Sequence, residues 1–129
     1  MLATRRKAKS RIEPGLASKI LGTVPYNKAF YFFTGIGQYT GELAASLADF
    51  CQRIEKIDVM SVDFHFKRRD FEKWVSETIG DVDLANEINK IRKSIQGEEL
   101  RVKIHQIVEK RLTELKKMLA TEETYMKRI

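Results

Sequence analysis

Three stretches of the chain hold residue types that could do chemistry. The first is Gly35-Ile36-Gly37-Gln38-Tyr39-Thr40-Gly41, which follows Phe30-Tyr31-Phe32-Phe33 and precedes an apolar helical pattern. An extended segment, then glycines, then a helix N-terminus is the layout in which backbone N–H groups cradle a phosphate. The spacing here is G-x-G-x-x-x-G rather than G-x-G-x-x-G, and no Lys-Ser/Thr pair follows as in a P-loop. The expectation is therefore a tight turn that lets the aromatics pack close to the bundle. The alternative is a looser pocket for a small molecule or anion, with Gly35, Gly37, Gln38, Tyr39 and Thr40 as candidates.

The second stretch, Ser61 to Trp74, crowds Asp63, His65, Arg68, Asp70 and Glu72 into one junction. A metal site would need two or three ligands besides His65, and Asp63 at i−2 is poorly placed on a helix. The Glu-x-x-His pairs of di-iron bundles are absent, and His105 with Glu109 is a lone pair. No metal and no cofactor are expected. His65 and Arg68 join the candidate pocket; structurally, they are expected to bond across a helix junction while Asp70 caps the next helix. Cys51, the only cysteine, sits between Phe50 and Ile54 on an apolar face, where a thiol is an inert small hydrophobe. No nucleophile, base and acid assemble by spacing. A non-enzymatic chain is the expectation.

The third stretch is the beginning of the chain. Residues 1–28 carry seven bases (Arg5, Arg6, Lys7, Lys9, Arg11, Lys19, Lys28) against Glu13 alone, so the entire net charge of +6 lies there. The remainder is balanced, seventeen bases to seventeen acids. Such asymmetry predicts a basic, flexible arm on a neutral body. Clustered Lys and Arg displace counterions from phosphates, so Arg5, Arg6, Lys7, Lys9 and Arg11 are candidates for contact with RNA, DNA, a ribosome or an acidic protein. A secretory signal is not expected, since no apolar stretch follows the early charges. No run approaches the ~20 apolar residues of a membrane span, so a transmembrane protein is not expected, nor a membrane partner.

The elements that must position these groups read as helices. Leu16, Ala17, Ile20, Leu21 and Val24 form a short amphipathic patch. Phe30 to Phe33 has strand propensity but no visible partner, so it is expected to be an extended, largely buried lead-in to the body. From Glu42 onward Leu43, Leu47, Phe50, Ile54 and Ile57 recur at helical spacing. Ser61 is a candidate cap for a short turn. Asp70 is placed as the N-cap of a helix burying Phe71, Trp74, Val75 and Ile79, with Gly80 just past its end. Asp81 caps a helix through Leu84, Ile88, Ile91 and Ile95, and the longest helix runs from about Glu98 to Ala120. The predicted class is all-α: a small bundle of four principal helices over 29–129, led by the aromatic, glycine-rich segment and carrying the 1–28 arm.

The runs Phe32-Phe-Thr-Gly-Ile-Gly-Gln-Tyr-Thr-Gly41, Ser46-Leu-Ala-Asp-Phe50, Phe64-His-Phe-Lys-Arg-Arg-Asp-Phe-Glu-Lys-Trp74 and Ile79-Gly-Asp-Val-Asp-Leu-Ala-Asn-Glu-Ile88 resemble an uncharacterised archaeal and bacterial family, domain of unknown function 5752. The resemblance covers about residues 29–112 and is most specific at His-x-x-x-x-Asp-Phe-Glu-x-Trp. It implies a small cytosolic, mostly archaeal, helical protein and supplies no activity or site residue. The functional expectation is a non-enzymatic interaction module acting through its basic arm. The alternative is a small-molecule or anion sensor using the Gly35–Gly41 loop and the His65–Asp70 junction.

Overall fold

Phe30 to Phe33 does have a partner. In the computed structural model, which describes residues 15–128, Phe30–Phe33 (β1) pairs antiparallel with Tyr39–Ala44 (β2). The turn closes through Thr34 N–H to the Gln38 carbonyl and Gln38 N–H to the Gly35 carbonyl, with Gly37 in the left-handed region at φ 71°. The register runs Phe30 to Ala44 and Tyr31 to Leu43, then jumps to Phe33 opposite Tyr39. Gly41, at φ 88°, absorbs the extra residues of β2. Thr40 Oγ1 donates to the Phe32 carbonyl at 2.8 Å where the ladder is interrupted. The all-α expectation is therefore corrected: six α-helices accompany a two-stranded hairpin, a helix-dominated mixture of α and β among the described residues.

The helices are Leu16–Ile20 (α1), Leu47–Lys56 (α2), Val59–Lys67 (α3), Asp70–Trp74 (α4), Val82–Asn89 (α5) and Gly97–Arg128 (α6). A 3₁₀ turn, Tyr26–Lys28, precedes β1, and a π turn, Val75–Ile79, extends α4. Helix α2 begins five residues later than Glu42, because Ser46 Oγ accepts the Asp49 N–H and Asp49 Oδ2 accepts the Ala45 N–H. Leu43 thus belongs to a strand. Ser61 caps nothing: Asp58 is the N-cap, accepting the Met60 N–H, and Ser61 lies buried inside a nine-residue helix. Ile91 and Ile95 are buried but follow the end of α5 at Asn89. Asp81 caps α5 as expected, accepting the Leu84 N–H, and Gly80 ends the preceding element at φ 89°.

The core has two halves. Leu100, Ile104, Val108, Leu112 and Leu115 run along one face of α6, and Ala17 and Ile20 of α1 are buried in the same core. At the other end Phe30, Phe32, Phe50, Phe71 and Trp74 pack ring against ring, with centroids 4.8–6.5 Å apart. The Trp74 indole N–H donates to the Lys28 carbonyl at 2.8 Å, tying the residues before β1 to α4. Alternation in β1 follows from this: Phe30 and Phe32 face the cluster, while Tyr31 and Phe33 face away from it.

Candidate functional site

The hairpin is fixed to the helices through one imidazole. His65, on α3, is 4 % exposed, and its Nε2 accepts the Phe33 N–H at 2.8 Å. That bond requires a lone pair on Nε2, so the proton of the neutral ring sits on Nδ1 and is donated to Asp70 Oδ2 at 2.8 Å. Burial holds the His65 pKa below its ordinary 6.5; Asp70 opposes this shift and the Arg68 charge adds to it. Both nitrogens are engaged, and the ring has no lone pair left for a metal or a substrate. The expectation that His65 and Arg68 meet at a helix junction holds, but their common partner is Asp70. Arg68 Nε donates to Asp70 Oδ2 at 3.0 Å. Asp70 is therefore not the N-cap; that position falls to Arg69, in the left-handed region at φ 65°. The sharp corner between α3 and α4 brings Asp70 back over His65.

Against this corner lies a cavity of about 350 Å³ lined by Phe30, Tyr31, Phe33, Gly35, Ile36, Gly37, Phe64, His65, Arg68 and Asp70. The structure thus gathers Gly35, Gly37, His65 and Arg68 from the expected pocket. Gln38 and Thr40 do not line it: Thr34 Oγ1 donates to Gln38 Oε1 at 3.2 Å, and Thr40 is tied to Phe32. Tyr39 lies outside it, in a ladder made of the exposed Tyr31 and Tyr39 and the half-buried Phe33. Its centroid is 5.7 Å from that of Tyr31 and 5.3 Å from that of Phe33. Tyr39 is 44 % and Tyr31 36 % exposed, and Ile36 at the hairpin tip is more exposed still. The arm candidates Arg5, Arg6, Lys7, Lys9 and Arg11 lie outside the described residues.

Sequence reasoning missed the aromatic ladder and the roles of Phe64, Ile36 and Asp70. The signal for the ladder was present in the period of two: once β1 is paired, Tyr31, Phe33 and Tyr39 must share a face. Elsewhere the titratable groups are committed to structure. Cys51 is buried, and that burial, with Glu109 and Glu55 nearby, pushes its thiol up to about 11. Asp81 and Arg111 form a buried two-pronged ion pair at 2.7 and 3.0 Å that also anchors the start of α5. No group of three or more metal-ligating side chains occurs among the described residues, nor any helix long and apolar enough to cross a membrane.

Fold and site together define a helical domain built around an aromatic hairpin. The chain belongs to the Family of unknown function (DUF5752), whose model matches residues 29–126. No curated protein and no solved structure matches it.

Proposed function

We propose that this chain is a non-enzymatic binding module for single-stranded nucleic acid, with the hairpin stacking unpaired bases and the basic arm neutralising phosphates. The observation that carries this reading is the ladder of Tyr31, Phe33 and Tyr39 on the outer face of a sheet. Exposed aromatics on such a surface are what proteins use to stack unpaired bases, at about 1–3 kcal/mol per base. The charge asymmetry supports the second half, because Arg5, Arg6, Lys7, Lys9 and Arg11 stand together without an acid among the first twelve residues. The engaged state of His65 and the raised pKa of Cys51 favour binding over catalysis.

Fluorescence anisotropy with labelled single-stranded RNA and DNA tests the reading. Tyr31→Ala and Tyr39→Ala should each weaken binding roughly fivefold or more, by the stacking energy above. For five phosphate contacts on a single strand, log K against log salt should fall with a slope of about −3.5. Replacing the five arm bases with Ala should flatten that slope. An acidic protein partner would use the arm and leave the tyrosines idle. Absence of binding at low salt, or binding indifferent to both tyrosines, overturns the proposal.

A further inference from the structure

The two ends of the hairpin are fastened to the helices by different means. At its base Phe30 and Phe32 are buried in the aromatic cluster, and Trp74 holds the Lys28 carbonyl just before β1. Towards the tip the ladder is irregular, the register jumping between Tyr31 and Phe33. Among the described residues, one hydrogen bond joins residues 33–41 to a helix, that from the Phe33 N–H to His65 Nε2. Packing adds little at the tip itself. Gly35 and Gly37 have no side chains, Ile36 is largely exposed, and all three line the apolar cavity of about 350 Å³ with Phe64 and Arg68. A single bond thus holds the tip beside open space.

That bond depends on one proton. Nε2 accepts while the ring is neutral; a proton there makes it a donor aimed at another donor across 2.8 Å. The Nδ1–H bond to Asp70 survives protonation and gains from it, so the ring stays with α4 and Phe33 has to leave. The charges acting on the ring are Asp70, on α4, and Arg68, just past the end of α3. Its other neighbours are the rings of Phe30, Phe32 and Phe33 on β1, Phe64 on α3 and Phe71 on α4. Helix α6 also packs on α3, but among the described residues it brings no charge to bear on the ring, and Asp63 is turned to the Gly97 N–H. Burial, with Arg68 beside it, keeps the ring neutral against the pull of Asp70.

We infer that proton uptake by His65 releases the hairpin tip and so regulates the aromatic ladder: with the ring neutral Phe33 stands beside Tyr39, and with it protonated Phe33 is freed and the ladder broken. The sign follows. Acid weakens the binding of a single strand, where added positive charge alone would strengthen it. The regulation rests on the single-strand reading, which supplies the ligand; the release rests on the geometry at His65.

Two measurements on the full chain, from about pH 7.5 to about pH 5, test it across the ordinary range of histidine. Without nucleic acid, NMR follows the His65 ring nitrogens and the amides of Phe33, Gly35 and Gly37. Anisotropy follows labelled oligouridine, whose base takes up no proton in this range, at constant ionic strength. The three amides should shift with the midpoint of the His65 ring. Below that midpoint affinity should fall by up to about tenfold per pH unit, as the competent fraction falls. His65→Gln takes up no proton there, so its affinity should stay level or rise in acid. Asp70→Asn keeps an acceptor for Nδ1–H but removes the charge that favours the cation, so the same fall should come at lower pH; a merely structural role would leave that midpoint where it is. Amides that ignore the titration of the ring, or a ring that stays neutral until the chain unfolds, overturn the release. Amides that follow the ring while strand affinity holds or rises overturn the regulation and leave the single-strand reading in place. Amides that follow it in a chain that binds no strand at any pH keep the release and overturn the single-strand reading.

Discussion

Lowering the pH should loosen this protein through His65, and the size of the effect follows from its two hydrogen bonds. The ring is buried and neutral, with Nε2 accepting the Phe33 N–H. Adding a proton to Nε2 would set two donors against each other across 2.8 Å, so the folded state resists protonation until the hairpin edge moves. In the unfolded chain the imidazole titrates near its ordinary 6.5, whereas in the fold its pKa is depressed, chiefly by burial. The unfolded state therefore binds more protons, and stability rises with pH across the interval between the two values. Above about pH 6.5 the contribution is fully present. As pH falls from there towards the folded value it is lost, at up to about 1.4 kcal/mol per pH unit. Urea unfolding of the wild type and His65→Gln, from about pH 8 to about pH 5, isolates this term by difference. The wild type should be the more stable at neutral pH, by roughly 1–3 kcal/mol for the hydrogen bond lost, and the gap should narrow on acidification. A gap that widened instead would mean that His65 is an imidazolium paired with Asp70 in the fold, refuting the tautomer deduced from Phe33.

Two further expectations concern the supports of the site. Trp74→Phe deletes the hydrogen bond to the Lys28 carbonyl while retaining most of the packing, so it should cost about 1–2 kcal/mol by denaturant titration; Trp74→Ala should cost about 3–5 kcal/mol, and a negligible loss would argue against the burial seen for the ring. Asp81→Ala removes the cap of α5 and leaves the Arg111 cation only its 3.3 Å contact with Glu114, so it should destabilise by up to about 3–5 kcal/mol, whereas replacing Asp81 and Arg111 together with apolar residues of similar size should recover much of that loss.

What the sequence revealed and concealed divides along physical lines. Helix ends marked by a single strong residue were legible: Asp81 as a cap, Gly80 in the left-handed region, and the apolar face of α6. The hairpin was concealed because its second strand imitates a helix. Leu43 precedes Leu47 by four residues, so the helical period of α2 appears to begin inside β2, and only the bonds among Ala45, Ser46 and Asp49 mark the true start. Ile91 and Ile95 misled similarly, since they continue the spacing of Ile88 but reach the core from a turn. Of the pocket, the glycines, His65 and Arg68 were visible as types. Asp70 was assigned the wrong partner, because a carboxylate beside a helix start usually caps it, whereas here the left-handed Arg69 redirects it to His65.

That redirection makes Asp70 the centre of the site. A residue other than glycine in the left-handed region costs about 1–2 kcal/mol, and the exposed Arg69–Glu72 pair beside it returns little. The conformation is held by what it allows: Asp70 fixes the tautomer of His65, His65 holds the Phe33 N–H, and the same carboxylate orients the Arg68 guanidinium over Phe64. One carboxylate thus sets the distance between the hairpin and α3 and the direction of the Arg68 cation that lines the cavity. Hairpin position and cavity chemistry are consequently coupled. A ligand that drew Asp70 or Arg68 towards itself would act on the hydrogen bond at Phe33, and through it on the neighbouring rings of Tyr31 and Tyr39.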